Sequence, residues 1–218
     1  MTAAEDLRTA ARAGEAVSEP QLAEADLRDA DLAGLRLRGG TLAGADLRGA
    51  RLDRARIDGA ALAGADLREA DLTDAVLTGV DLSGARFAGA LLGDTHFDGC
   101  RMIGTTLRGM RGLTASFRLS GCNLQVADLG DLALRGLRIS ECDLSEADLS
   151  GADLRTVEFV KCRLRGTVLR AARLEDTDLR SCDLGEITPD TPRELRGAIV
   201  SPGQAAAICG ALGLTVLD

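Results

Sequence analysis

Five cysteines placed at a constant interval are the residues with the most obvious chemistry to offer. Cys122, Cys142, Cys162 and Cys182 lie 20 residues apart, and Cys100 joins them once a two-residue slip in the chain is subtracted. Such an array invites two readings, disulfide bonds or a thiolate metal site, and either requires side chains that converge. No histidine lies among them to complete a mixed zinc site. The single histidine, His96, sits beside Phe97 with no matching nucleophile, which makes it a surface residue and leaves catalysis without a candidate. A phosphate-binding glycine loop is also missing. Gly34, Gly44, Gly49, Gly59 and Gly64 recur in steps that are multiples of five, as corners needing positive φ would require.

The elements that must hold these residues follow the same count of five. From Leu22 to Leu107 every fifth residue is Leu, Ile, Met or Phe, and after a two-residue slip the series resumes from Leu119 to Leu184, giving 32 positions. A period of five matches neither the 3.6 of a helix nor the 2 of a strand, so the chain is a repeat protein. Two residues before each apolar centre stands a small one (Ala25, Ala45, Ala65, Cys142, Ala152). The residue just before it is often Asp (Asp26, Asp46, Asp66, Asp148), and the one two after is often Gly. One large and one small inward residue in five would fill a narrow interior, with the other three facing water. A solid shaft leaves no cavity for a substrate.

Strings such as ADLRE at 65–69, CDLSE at 142–146 and ADLSG at 147–151 resemble the A(D/N)LXX unit of the pentapeptide-repeat family over about residues 20–186. The resemblance implies an all-β solenoid: a right-handed quadrilateral β-helix with four pentapeptides to a coil. Stacked at about 4.8 Å, some eight coils would make a rod on the order of 40 Å tall. With four units per coil, the five cysteines fall once per coil on one wall, in the small inward position. Side chains stacked on parallel strands point the same way, so they read as a core ladder of free thiols. Cys209 lies outside the repeats, in the C-terminal segment.

The net charge of −8, from 34 acids against 26 bases, speaks against direct binding of nucleic acid. Sorting outward residues by wall places Asp81, Asp143, Glu146, Asp183 and Glu186 on a net acidic one, and Arg36, Arg38, Arg56, Arg118, Arg138 and Arg180 on a slightly basic one. The plain structural reading is that Asp before each centre stabilises the corners. The repeat breaks at 108–118, where Gly112 replaces a centre. That break is either a kink between two stacks or a bulge, through Met110, Arg111 and Leu113, that a partner could grip.

Both ends read as caps. Over 1–19, Thr2 and Glu5 suit a capping box before a short helix containing Leu7, Ala10 and Ala11. Over 187–218, Pro189 and Pro192 stop the coil, Ser201 and Gln204 form a second capping box, and Gly213 ends that helix before an extended run from Leu214 to Leu217. Ala206, Ile208, Leu212, Leu214 and Val216 make this end apolar enough to serve as a homodimer interface. The start lacks a basic, apolar leader pattern and no apolar run is long enough to span a membrane, so the expected location is the cytoplasm.

A coil stack closed by such a helix and tail is similar to the Qnr and MfpA branch of the family. That likeness implies a non-catalytic DNA mimic, without cofactor, that binds DNA gyrase or topoisomerase IV and protects it from quinolone-like or self-produced gyrase poisons. The long projecting loops of the Qnr type are absent, and arginines offset the acids. A rod-shaped scaffold for another protein partner is the alternative reading.

Overall fold

The computed structural model describes residues 3–111 and 116–217. Eight three-residue strands stack in sequence order into one parallel sheet: β1 (Ala16–Ser18), β2 (Arg36–Arg38), β3 (Arg56–Asp58), β4 (Val76–Thr78), β5 (His96–Asp98), β6 (Arg118–Ser120), β7 (Arg138–Ser140) and β8 (Glu158–Val160). The other three walls are built from single parallel bridges at the residue before each apolar centre, as in Gln21 with Thr41, Asp26 with Asp46 and Asp31 with Arg51. The chain therefore turns four corners between one rung and the next. This is the quadrilateral β-helix implied by the resemblance to pentapeptide repeats.

Backbone pairing explains why so short a unit is stable. Thr41 donates its amide to Pro20 O at 2.8 Å in the preceding coil, and Leu22 donates to Thr41 O at 2.7 Å in the following one. Within a coil, Ala45 N closes back on Leu42 O at 3.0 Å. The inward residues and the residue before each centre thus pair their amides with neighbouring coils or turns, as a buried backbone demands. The corner residue, two after the centre, takes positive φ: 68° at Gly34, 66° at Gly44, but also 57° at Glu24 and 60° at Glu146. The ladder holds non-glycine residues in a conformation they otherwise avoid.

Every apolar centre from Leu22 to Leu164 is buried, as are Leu174 and Leu179; only Leu169 and Leu184, at the C-terminal end, are half-buried. The small inward position is filled by Ala45, Ala65 and Ala85, or by Thr with its hydroxyl satisfied. Thr95, Thr105 and Thr177 donate to Leu72 O, Leu82 O and Leu154 O, each at 2.8 Å. A hydroxyl thus enters the shaft without leaving a buried group unpaired.

The ladder crosses the break without rotating. Phe97 pairs with Leu119, Arg101 bridges Asn123 and Thr106 bridges Asp128, so each wall continues on the same side of the rod. The extra two residues are absorbed on one wall. Phe117 stands in the position that is elsewhere mostly small, though Leu35 and Leu132 also occupy it; it is fully buried and meets Phe97 edge to face at 6.5 Å, as Phe97 meets Phe87 at 6.2 Å. A large residue at the small position supplies volume in the same stretch where the sequence has Gly112 in place of a centre.

At the start, α1 (Ala3–Ala13) buries Leu7 and Ala11 against the first coil, with Ala10 half-buried; Thr2 lies outside the described residues. At the end, the chain leaves the coil after Asp183, forms the single turn α2 (Thr191–Glu194), and returns to add one further rung. Ile199 N donates to Thr177 O at 2.8 Å and Leu179 N to Ile199 O at 2.9 Å. The repeat count ending at residue 186 gave no sign of this rung, because its residues do not follow the five-residue pattern. In α3 (Pro202–Ala211) the capping box forms: Ser201 Oγ accepts from Gln204 N at 3.2 Å and Ser201 N donates to Gln204 Oε1 at 2.7 Å. Gln204 Nε2 also donates to Leu179 O and Cys182 O, both at 2.9 Å, tying the helix to the last coil. Gly213 follows with φ 78°.

Truncating the mid-stack centre in Leu144→Ala is expected to lower unfolding free energy by about 2–5 kcal/mol, against less than about 1 kcal/mol for Ser145→Ala on the outside. Chemical denaturation of both variants measures the difference, and equal losses would contradict the inward assignment.

Candidate interaction surface

Asp, Leu and Arg in succession put two outward side chains on the same side of a strand, flanking an inward one. This local alternation creates the main charge feature of the rod. On the wall of Leu27, Leu47 and Leu67, Arg28 meets Asp26 at 2.6 Å, Arg48 meets Asp46 at 2.6 Å and Arg68 meets Asp66 at 2.7 Å. Cross-coil contacts join them: Arg28 lies 3.7 Å from Asp46, Arg48 3.8 Å from Asp66, and Arg86 2.9 Å from Asp66. A ladder of alternating charge results, in which each carboxylate is neutralised by its neighbours. The DLR triplets contained this signal, although sorting charges only by wall does not reveal it.

The aspartate before the centre has a second task. Its Oδ1 accepts the amide two residues on, from Arg28 to Asp26 (3.2 Å), Thr73 to Asp71 (2.9 Å), Ser83 to Asp81 (2.9 Å), Ser145 to Asp143 (3.0 Å) and Gly185 to Asp183 (3.0 Å). These are Asx-type turns, the corner-stabilising role expected of Asp at this position. Hydrogen bonding to Arg155 holds the Asp153 carboxyl down at about 2, with burial opposing and the Arg155 amide and charge assisting.

Asp81, Asp143 and Asp183 share one wall, in register Asp81, Arg101, Asn123, Asp143, Arg163, Asp183, with Glu146 at the corner that follows; Glu186 lies just beyond, where the chain has left the coil. Arginines are interleaved among them. Asp143 lies 3.5 Å from Arg163 and accepts from Gln125 Nε2 at 3.0 Å, while Asp183 meets Arg165 at 2.6 Å. Burial works against the Asp143 charge, but the Ser145, Gln125 and Arg163 contacts outweigh it and keep this carboxyl below its ordinary range. Glu146 and Glu186 have no ion pair or side-chain hydrogen bond among the described residues. They are the members of the set without such a contact.

The six basic candidates fall together on the strand wall, in β2, β3, β6 and β7, with Arg180 on the coil beyond β8. Of the break residues, Met110 is half-buried, and Arg111 turns its guanidinium onto the backbone, donating to Gly89 O and to Glu69 O (3.3 Å). Leu113 lies outside the described residues. Ser116 Oγ accepts Asp94 N at 3.2 Å, closing the ladder beside the break.

The cysteine ladder is internal. Cys100, Cys122, Cys142 and Cys162 are buried and Cys182 half-buried, all as free thiols. Cys100, Cys162 and Cys182 point Sγ at the carbonyls of Leu77 (3.3 Å), Ile139 (3.4 Å) and Phe159 (3.3 Å). The contact with Cys122 and then burial push the Cys100 thiol up. For Cys122 the Cys100 thiol pulls down, but Cys142 and burial outweigh it and leave it at about 12. Cys162 departs from this pattern, its thiol drawn below the ordinary range by the contact with Cys182 against the effect of burial, yet it too is buried as a small core residue.

Pentapeptide-repeat units match in eight copies spanning residues 21–111 and 118–185. The chain belongs to the pentapeptide-repeat family. Among solved structures, the trypsin-treated M102R form of QnrB1, a plasmid-mediated fluoroquinolone resistance protein, superposes with a TM-score of 0.60 at 24% identity, covering 83% of this chain and 91% of that one. Full-length QnrB1 gives a TM-score of 0.57 at 21% identity over 92% and 96% of the respective chains. These likenesses establish a shared fold. No curated protein sequence matches significantly.

Because Asp153 binds its proton less readily folded than unfolded, its contribution to stability is complete above about pH 4 and is lost as pH falls through about 2. Melting temperatures measured from pH 6 down to pH 2 should therefore fall in acid, and Asp153→Asn should lose part of that slope while leaving the trend above pH 5 unchanged.

Proposed function

We propose that this chain is a non-catalytic ligand of a type II topoisomerase, DNA gyrase or topoisomerase IV, which it modulates or protects against quinolone-like or self-produced gyrase poisons. The observation that carries this reading is the rod itself. Its four-sided stack, with eight strands at about 4.8 Å spacing and a net charge of −8, suits a groove that otherwise holds duplex DNA. Its fold is that of QnrB1, a fluoroquinolone resistance protein. Glu146 and Glu186, together with Asp81 and the ion-paired Asp143 and Asp183, form the face that would stand in for phosphates.

Two rods would be joined through their C-terminal ends. Leu212, Leu214 and Val216 are half or more exposed, while Ala206 and Ile208 on α3 are half-buried beside them. An apolar patch of this kind suits contact with an identical surface. The paired Asp and Arg ladder favours a second reading, a rod-shaped scaffold for another protein, since a wall of neutralised carboxylates offers little to a site built for DNA.

Added to gyrase, the protein is expected to inhibit supercoiling and lower the linear DNA trapped by a fluoroquinolone, both effects weakening as salt rises. Glu146→Lys with Glu186→Lys should reduce them several-fold, and Arg36→Glu with Arg38→Glu should not. These glutamates cap no turn, so the first pair tests recognition apart from folding. An absence of any effect at micromolar protein in low salt would give the scaffold reading first place. Light scattering should give a dimer mass, and Leu214→Asp with Val216→Asp a monomer. An unchanged mass would remove the pairing mode.

A further inference from the structure

The last coil ends in an unfinished edge. One coil earlier, the amides of Leu149, Gly151 and Leu154 donate to Val168 O, Arg170 O and Arg173 O at 2.9, 2.9 and 2.8 Å. Their equivalents at Leu169, Ala171 and Leu174 have no acceptor among the described residues, and the carbonyls of Thr167 and Ala172 have no donor. The reason lies in the chain path. After Asp183 it departs through α2 and rejoins the stack only at Gly197 and Ile199, which accept from Asp176 (3.0 Å) and Leu179 (2.9 Å). The stretch of rung above Leu169 and Leu174 is skipped. Leu169 is accordingly half-buried and Val168 is 38% exposed.

The skipped stretch is a groove of about 780 Å³ between the edge and α2, within the size range of binding clefts. Arg170 and Arg173 stand on the edge, with Arg193 and Arg196 across from them, and none forms an ion pair among the described residues. Glu175, Asp190 and Glu194 also line it, leaving arginine in excess by one. Open parallel donors and acceptors, an uncovered apolar centre and unpaired cations are the complement of one ligand type.

We propose that this groove is a strand-addition site that takes an extended acidic and aliphatic peptide segment of a partner protein as the missing rung. The ladder fixes its register. A residue opposite Val168 would donate to Thr167 O and accept from Leu169 N. The next residue would point inward over Leu169, the one after would stand beside Arg170, and three further on would stand beside Arg173. Recognition therefore calls for a large aliphatic residue followed at once by a carboxylate, with a second carboxylate three residues later. The capped heptapeptide SLEGADL meets these demands.

Fluorescence anisotropy with labelled SLEGADL and the full-length chain tests this proposal. Saturable binding of one peptide per chain is expected. It should weaken by about tenfold or more in SLKGAKL, in R170E/R193E, and in a peptide N-methylated at Ser and Asp, since each removes charge-assisted or ladder contacts. The N-methylated probe leaves the protein untouched, so misfolding cannot imitate its effect. Lack of binding, or equal binding of the N-methylated peptide, would overturn strand addition. Displacement by pyrophosphate with no sensitivity to N-methylation would make the groove an anion site. Binding that appears only in L214D/V216D would show that a second copy of the chain covers the groove, which also overturns the proposal. None of these outcomes depends on gyrase.

Discussion

Each coil can hydrogen-bond to the next only if its four corners fall at the same places, and that requirement governs everything else in the molecule. It imposes the five-residue unit and stacks Leu37, Ile57 and Leu77 above one another. It also places Glu24 and Glu146 in a left-handed conformation that an isolated chain would avoid. The inward residues are then limited to two per side, a large centre and a second that is mostly small, with Leu35, Phe117 and Leu132 as larger fillers. Where the small one is polar, it must bond to the coil before it, as Thr95, Thr105 and the thiol of Cys100 do.

The same geometry decides which charges are available. A carboxylate just before a centre is drawn into its own turn and, where Arg follows the centre, into an ion pair. Asp26, Asp46 and Asp66 are structural for that reason, whereas Glu146 at a corner has no such contact among the described residues. The surface of the rod is thus far less acidic in effect than the count of acids suggests.

Most of the fold was legible because a long run of identical local environments repeats the same constraint. The centres from Leu22 to Leu164, the glycine corners, the cysteine column and the Ser201 to Gln204 capping box could each be read from residue type and spacing. What escaped were features that depend on a partner distant in sequence or on a departure from the period. Ile199 returns to the stack after a helical detour and carries no repeat signature. Phe117 fills the core from the small position, and Arg111 bonds backward to two coils. The neutralising ladder was present in each DLR triplet but emerges only when adjacent coils are set side by side.

The ladder also predicts how protection should vary along the rod, because an amide is slow to exchange only if the next coil accepts it. Hydrogen exchange followed by NMR on the full chain tests this most directly. Leu149, Gly151 and Leu154, each paired upward, should exchange orders of magnitude more slowly than Leu169, Ala171 and Leu174, which occupy the same positions one coil on. Equal protection of the two sets would mean that the stack does not end where the pairing ends, and would contradict the account of a structure held by coil-to-coil hydrogen bonds with an open final rung.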